Sequence, residues 1–463
     1  MRLAVRWWVI TIAPVAGIRR GTPRTRRAAA ASPIWSRPEE LASSIALRSA
    51  ERSPKKRLRD VQARELAARI RRQLRRDKTD MVDFAASLIR IPTENPPGAR
   101  YAKCAGLIAA RLEDLGLATR TVNPSGSGPC VLGTLGDGAR ALYFSGHYDV
   151  VPAQTESQFN PEVRKANLHG RGAADMKGGV AAMAFAIHAL AQSGVELKGR
   201  VISVSVPDEE TSGPRGTVAL AGAGQGAGLI EKNAIGMLTM EPTSGVVWNA
   251  NRGVISLRVT IRGRPAHVGL HFRGVNAFRG MLDVAGAFAA LEAEVAQRRT
   301  TLNIAPEPAR ASVLLLGGEL SGGHNFNVVP ERVSFTLDRR TNPEEDFDTE
   351  RKRLFDVIED ARARGVHCDV ELLQEGRSSA TNVNGALARA LASSVRGVTG
   401  RPARFELCPG VLETRHYAAL GIPALAYGPG LLAVSHGPNE FVSVSRLLEC
   451  AEVYALTAAR LLS

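Results

Sequence analysis

From about residue 80 onward, apolar positions recur with regular periods. Residues 80–91 and 101–117 read as amphipathic helices, and short β-type runs follow at 129–134 and 140–146. Met176, Val180, Met183, Ile187 and Leu190 recur at helical spacing and predict a helix over 176–194. Val201–Val206 and Ile235–Met240 are compact apolar runs, as buried strands are. This alternation predicts an α/β domain with a central, largely parallel sheet flanked by helices.

At Arg252 the pattern changes. Ile255, Leu257, Val259 and Ile261 alternate with Val254, Ser256, Arg258 and Thr260, so one face is apolar and the other more polar. A helix at about 274–296, strands near 311–316 and 332–338, a helix at 344–364 and a strand at 367–373 complete the order β-α-β-β-α-β. That is the ferredoxin-like split unit. The α/β pattern then resumes and ends in a helix at 443–462. The expected organisation is an extension, 1–78, and a first domain in two parts, 79–251 and 374–463. An α+β domain, 252–373, is inserted between those parts. No internal repeat of solenoid period is present.

Composition adds exclusions. A chain of 463 residues with 44% hydrophobic and 23% charged residues is globular, with room for two domains. No stretch approaches the roughly 20 uninterrupted apolar residues of a membrane span. The five cysteines, Cys104, Cys130, Cys368, Cys408 and Cys450, are scattered and never in C-x-x-C. That argues against a disulfide framework or thiolate zinc site and fits a reducing, cytoplasmic compartment.

The net charge of +15 is unevenly spread. Residues 1–80 hold 21 Lys and Arg against 7 Asp and Glu, whereas the other 383 residues hold 39 against 38. A nearly neutral body predicts no nucleic-acid binding by the folded part, and any polyanion binding is expected to be lost with the extension. Residues 7–18 form an apolar run behind Arg2 and Arg6, but no clean A-x-A site follows, so a secretory signal is the lesser alternative. The favoured expectation is a disordered basic tail, or sequence upstream of a later start such as Met81, with 58–76 able to form a basic helix.

The chemistry sits in separated His and carboxylate elements. H-E-x-x-H, G-x-S-x-G and G-x-x-x-x-G-K are all absent, and the glycine-rich stretch 221–228 follows a helix and reads as a loop. His147 ends an apolar run, with Asp149 two residues on, placed to accept the other ring N–H. An ordinary His–Asp hydrogen bond explains that pair equally well. Asp175 precedes a helix, where capping is its common task and bridging two cations the alternative. Asp208-Glu209-Glu210 follows Val206-Pro207, and is either a solvated turn or a cation ligand beside a free base. Glu241 ends the next apolar run, and His436 lies in a Gly- and Pro-containing loop near the chain end. Each element alone is weak. Together, at the ends of β runs, they make a binuclear site of mixed N and O donors suited to zinc, cobalt or manganese. Two such ions lie typically ~3.5–4 Å apart and polarise a carbonyl.

These five elements and the inserted domain, in this order from about residue 80 to the end, resemble the M20 metallopeptidases and deacylases. That family includes acetylornithine deacetylase, succinyl-diaminopimelate desuccinylase, aminoacylase-1 and glutamate carboxypeptidase. The resemblance implies that His147, Asp175 and Glu241 hold one metal and that Asp175, Glu210 and His436 hold the other. It implies Glu209 as general base, Asp149 as the orienting partner of His147, and a cis Asp175–Met176 peptide. It implies that the inserted domain is a lid and dimerisation domain. There Arg264-Pro265-Ala266-His267 supplies His267 to the partner subunit's site, and Asn327 and Arg340 meet the substrate carboxylate. A surface ion pair of Arg340 with the acids at 344–346 is the plainer alternative. One departure stands out: Gly410-Val411-Leu412-Glu413-Thr414-Arg415 replaces a Gly-Thr-Asp-Ala-Arg-like segment. Glu at 241, followed by Pro-Thr, resembles the deacetylase and desuccinylase branch.

The resulting expectation is a two-metal hydrolase, with zinc favoured, that cleaves the amide of an N-acyl amino acid and forms a homodimer. A dipeptidase or carboxypeptidase of the same fold is the alternative within the class. Outside it stand an inactive metal-binding protein and a polyanion-binding protein acting through the tail.

Overall fold

The computed structural model describes residues 54–222 and 228–463. Residues Gln62–Ser463 form one compact unit, which carries the sheets. The apolar run at 7–18 and most of the glycine-rich loop lie outside the described residues.

The large sheet uses β1 (Ala118–Val122), β2 (Cys130–Leu135), β3 (Arg140–His147), β6 (Gly199–Val206), β7 (Gly236–Thr239), β8 (Val247–Asn251), β13 (Ser379–Ala380), β14 (Phe405–Cys408) and β15 (Ala424–Ala426). Its order is β1-β2-β6-β3-β7-β15-β8-β13, with β14 also paired to β8. The central neighbours β6, β3, β7 and β15 are mutually parallel, while β1–β2, β2–β6 and β8–β13 are antiparallel. The sheet is thus parallel at its centre and antiparallel toward its edges.

β3 is buried along almost its whole length and alternates between two cores. Leu142 and Phe144 face one core with Met183, Ile187 and Tyr454. Ala141 and Tyr143 face the other with Val204, Met237 and Tyr417. The helices are α1 (Pro54–Arg76), α2 (Lys78–Ile89), α3 (Tyr101–Asp114), α4 (Lys177–Gln192), α5 (Thr217–Leu220), α6 (Ala277–Val295), α7 (Phe347–Ala363), α8 (Ala386–Thr399), α9 (Thr414–Ala419) and α10 (Val444–Leu462). α2, α3, α4, α8 and α10 contribute to the first core.

The second sheet contains β9 (Gly253–Arg262), β10 (Val313–Gly322), β11 (Arg332–Thr341) and β12 (His367–Gly376), ordered β10-β11-β9-β12 and antiparallel throughout. Ile255, Leu257, Val259, Ile261, Phe335 and Leu337 pack on α6 and α7 through Val284, Phe288, Leu354 and Ile358. The opposite face carries the pairs Arg258–Glu371 and Arg262–Asp369, as the alternating pattern predicts. The chain crosses between the sheets at Gly253 and again after Gly376. A Cβ on Gly253 would stand 2.4 Å from Thr341 Oγ1 and 3.0 Å from the Gly376 carbonyl, so the crossing has no room for one. A small third sheet joins β4 (Glu162–Arg164), β5 (Asn167–His169) and β16 (Phe441–Ser443) in the order β16-β5-β4.

The extension ends earlier than the pattern suggests. Residues 62–76 belong to α1, where Ile70 and Leu74 are buried in the main core. Arg71 makes a forked ion pair with Glu452 of α10, with nitrogen–oxygen distances of 2.7–3.1 Å. Two apolar residues four apart make a narrow stripe among arginines, which reads in sequence as a basic tail. The five cysteines are free and buried. No helix among the described residues is long and apolar enough to cross a membrane.

A candidate metal centre at the carboxyl edge of the sheet

Because β6, β3, β7 and β15 run parallel, their carboxyl ends open on one edge, where ligands collect in such sheets. His147 is the last residue of β3, Pro207-Asp208-Glu209-Glu210 leaves β6, Met240-Glu241 leaves β7, and the loop to His436 leaves β15. Asp175 arrives from the loop before α4. The helix N-cap is Met176, which makes no side-chain cap, so the Asp175 carboxylate is not the cap that its position suggested. The Asp175–Met176 peptide is cis.

The two Asp175 oxygens face opposite ways. Oδ1 lies 3.2 Å from His147 Nε2, and Oδ2 lies 3.3 Å from His436 Nε2. His436 Nε2 is also 3.2 Å from Glu210 Oε2. His147, Asp175 and Glu210 each present a donor atom within 4.8 Å of the others. Glu241 is buried, and its Oε1 and the Glu210 Oε1 have no hydrogen-bond partner. Two orphaned carboxylate oxygens beside two imidazoles fit divalent cations, because an unpaired buried acceptor is otherwise costly.

The charges point the same way. Burial pushes the Glu210 carboxyl up to about 8, with Asp175 reinforcing and His436 opposing. Burial also raises Glu241 well above the carboxylate range, and Glu209 and Asp175 add to it. Burial works against the charged forms of His147 and Asp175. It is outweighed for His147 by the Asp149 and Asp175 carboxylates, which hold it well above its usual value, and for Asp175 by His147 and His436, which hold it low. Asp175 and Glu210 raise His436 to about 10. Such a crowd of acids keeps protons or takes up cations.

Asp149 meets both the His147 ring and the loop that follows β6. His147 Nδ1 lies 3.4 Å from its Oδ1 and 3.0 Å from its backbone oxygen, and the shorter contact is the better hydrogen bond. The same carboxylate accepts the backbone N–H groups of Glu209 and Glu210 at 3.2 and 3.1 Å. Asn95 Nδ2 joins it to Asp208 at 2.9 and 3.1 Å, and Arg215 pairs with Asp208 at 2.7 Å. Asp208 is therefore buried and partnered rather than part of a solvated acidic turn. The Glu209 carboxylate takes no hydrogen bond among the described residues, and burial raises its pKa. Asn95 and Arg215 had no sequence signal. The departing segment 410–415 places buried Glu413 and Arg415 close enough to feel the Glu209 charge.

The three residues assigned to substrate lie on the second sheet's domain. His267 is exposed and its Nδ1 accepts Gly269 N–H at 3.1 Å. A bridge from His267 to Val328 sets Asn327 beside it. Arg340 is held by Asp338 at 2.5 and 3.0 Å, not by the acids at 344–346. Glu345 pairs instead with Arg339, which points to the buried face. Among the described residues no hydrogen bond links His267, Asn327 or Arg340 to the metal cluster.

A model of peptidase family M20/M25/M40 matches residues 143–460. A succinyl-diaminopimelate desuccinylase of Nitrosococcus oceani is 28% identical over 381 residues, covering 81% of this chain and 96% of that protein. The dipeptidase Dug1p from Saccharomyces cerevisiae superposes with a TM-score of 0.68 at 17% identity, covering 85% of this chain and 98% of its own. A dinuclear metal-binding M20 peptidase of Bacillus subtilis, YXEP, gives 0.61 at 16% identity, covering 84% and 99%.

Proposed function

The chain belongs to peptidase family M20/M25/M40, and from that premise we propose that it is a two-metal hydrolase cleaving the amide bond of an N-acyl amino acid. The observation that carries this reading is Asp175, whose two oxygens face two different histidines amid buried, unpartnered carboxylate oxygens. His147 and Glu241 would hold one cation, Glu210 and His436 the other, with Asp175 shared. Zinc is the expected metal, with cobalt or manganese able to replace it. Such cations supply Lewis acidity to the amide carbonyl and lower the pKa of the attacking water.

Glu209 is the general base. Its backbone is pinned by Asp149 while its carboxylate stays free, so it can take the water's proton and deliver it to the amine nitrogen as the C–N bond breaks. Residues 252–373 would act as lid and dimerisation domain on a body of 79–251 and 374–463. Exposed Phe278, Leu320 and Phe326 line one depression on that domain and support a homodimer, since apolar patches mark interfaces. His267, Asn327 and Arg340 would meet the substrate, Arg340 by exchanging Asp338 for the substrate carboxylate. The name of the relatives favours an N-succinyl amino acid as substrate. Free, buried cysteines suit the cytoplasm.

The test is metal analysis with a panel of N-acetyl, N-succinyl and N-aminoacyl substrates, before and after chelation. Two equivalents of metal, hydrolysis of N-acyl substrates, its loss on chelation and its return on metal addition are expected. Glu209→Gln should keep the metal and lose at least ~100-fold in kcat. Undiminished hydrolysis by metal-free protein would end the reading, and preference for dipeptides would move the chain to the dipeptidases.

A further inference from the structure

Arg171 and Glu440 form an ion pair at 2.5 Å, 1% and 2% exposed respectively, between residues far apart in sequence. Each end grips a loop that carries part of the metal centre. Glu440 Oε1 accepts the N–H groups of Ala174 and Asp175 at 3.0 and 3.1 Å. Arg171 donates to the His436 carbonyl at 3.1 Å. Gln158 donates to the next carbonyl, Gly437, at 3.1 Å, and its own carbonyl accepts the Arg171 N–H.

His436 needs such anchoring. Its side chain is 52% exposed and its backbone is left-handed, at φ 63°. No strand holds it, whereas His147 ends a strand paired on both sides and also rests on Asp149. The pair is also an inefficient way to gain stability. It takes two charges out of water and leaves Arg171 Nε without a partner. Its contacts run to loop backbone instead of to the cores.

We propose that Arg171 and Glu440 are positioning residues that clamp the His436 loop to the Asp175 loop, and so set the affinity of the cation position formed by Asp175, Glu210 and His436, two of whose ligand loops they hold, more than that of the His147–Glu241 position, which shares only Asp175 with the clamp. The proposal rests on the two-metal reading above. A pair that only stabilised the fold would loosen both positions equally, or neither.

The full chain, stripped of metal, is titrated calorimetrically with Co2+ and Zn2+, and its melting is followed in parallel. Arg171→Lys keeps the charge but reaches only one of two acceptors. The double variant Arg171→Gln/Glu440→Gln replaces the ion pair with neutral groups and leaves no buried charge uncompensated. His436→Ala supplies the reference pattern for loss of the second position. The expected result is one equivalent weakened 10–100-fold, matching His436→Ala in kind, and the other, which shares only Asp175 with the clamp, weakened much less. A variant that melts like the wild type and binds both equivalents normally overturns the proposal, as does equal weakening of both. Fewer than two equivalents in the wild type would instead overturn the two-metal reading, before any variant is compared.

Discussion

At Asp149 one residue serves both sides of the site: its carboxylate holds the backbone of Glu209 and Glu210 and lies near the His147 ring, whose shorter bond is to the Asp149 backbone oxygen. Asp149→Asn keeps the shape but loses one acceptor and the negative charge. It should weaken metal binding 10–100-fold and lower kcat at least as much, read by Co2+ titration and steady-state kinetics. Unchanged metal affinity would reduce Asp149 to a structural role. Lys177, the first residue of α4, is fully buried and donates to the carbonyls of Leu88 and Ile91 at 3.0 and 2.7 Å. Burial pushes its pKa down to about 8. The unfolded chain therefore binds the extra proton between pH 8 and its ordinary value near ~10.4, so this group makes stability rise with pH across that window. The gain is on the order of 3 kcal/mol at most. Lys177→Met should melt lower at pH 7, because two carbonyls lose their donor, and should lack that pH-dependent component in melts from pH 8 to 10.

Among the elements, the strands that build the site were the easiest to read. β3, β6 and β7 are covered on both faces, so they appear as compact, mostly apolar runs whose ends mark His147, Glu209–Glu210 and Glu241. β15 is three residues long, and β8 carries two buried asparagines, so neither shows a period. His436 was visible as a candidate, but its place beside Asp175 depends on β15, on a loop and on an ion pair between distant residues that no local pattern records. The polar faces of the second sheet were legible from alternation, yet alternation alone could not say that Arg339 pairs with Glu345 while Arg340 faces away. The loop after β15 makes its own prediction. A Cβ on Gly428 would stand 2.2 Å from the carbonyl oxygens of Met240 and Glu241. Gly428→Ala should cost ~1–3 kcal/mol, read as a lower Tm. It should cost more in activity than that loss explains, since Glu241 and the path to His436 both shift. Wild-type kinetics in a folded variant would argue against this coupling.

For the whole molecule, the charge count places the basic excess outside the body, whereas the structure draws the boundary inside α1. Ile70 and Leu74 each bury an apolar side chain worth roughly 1.5–3 kcal/mol, and Arg71 adds a forked pair with Glu452. A chain beginning at residue 79 should melt several degrees below one beginning at residue 62, measured by calorimetry. Equal melting would mean that α1 is dispensable. Hydrolysis per folded molecule is expected to survive both truncations, because no residue before 79 touches the metal centre among the described contacts.

The two crossings at Gly253 and Gly376 lie side by side, for Gly376 pairs in register with Val254. The inserted module therefore leaves and rejoins its host at one spot, within about a strand spacing of ~4.8 Å. A link of a few residues could seal the host if the module were excised, and an unrelated domain whose ends lie close together could be spliced in without altering the host's strand order. A segment joined in this way is exchangeable without rewiring its host.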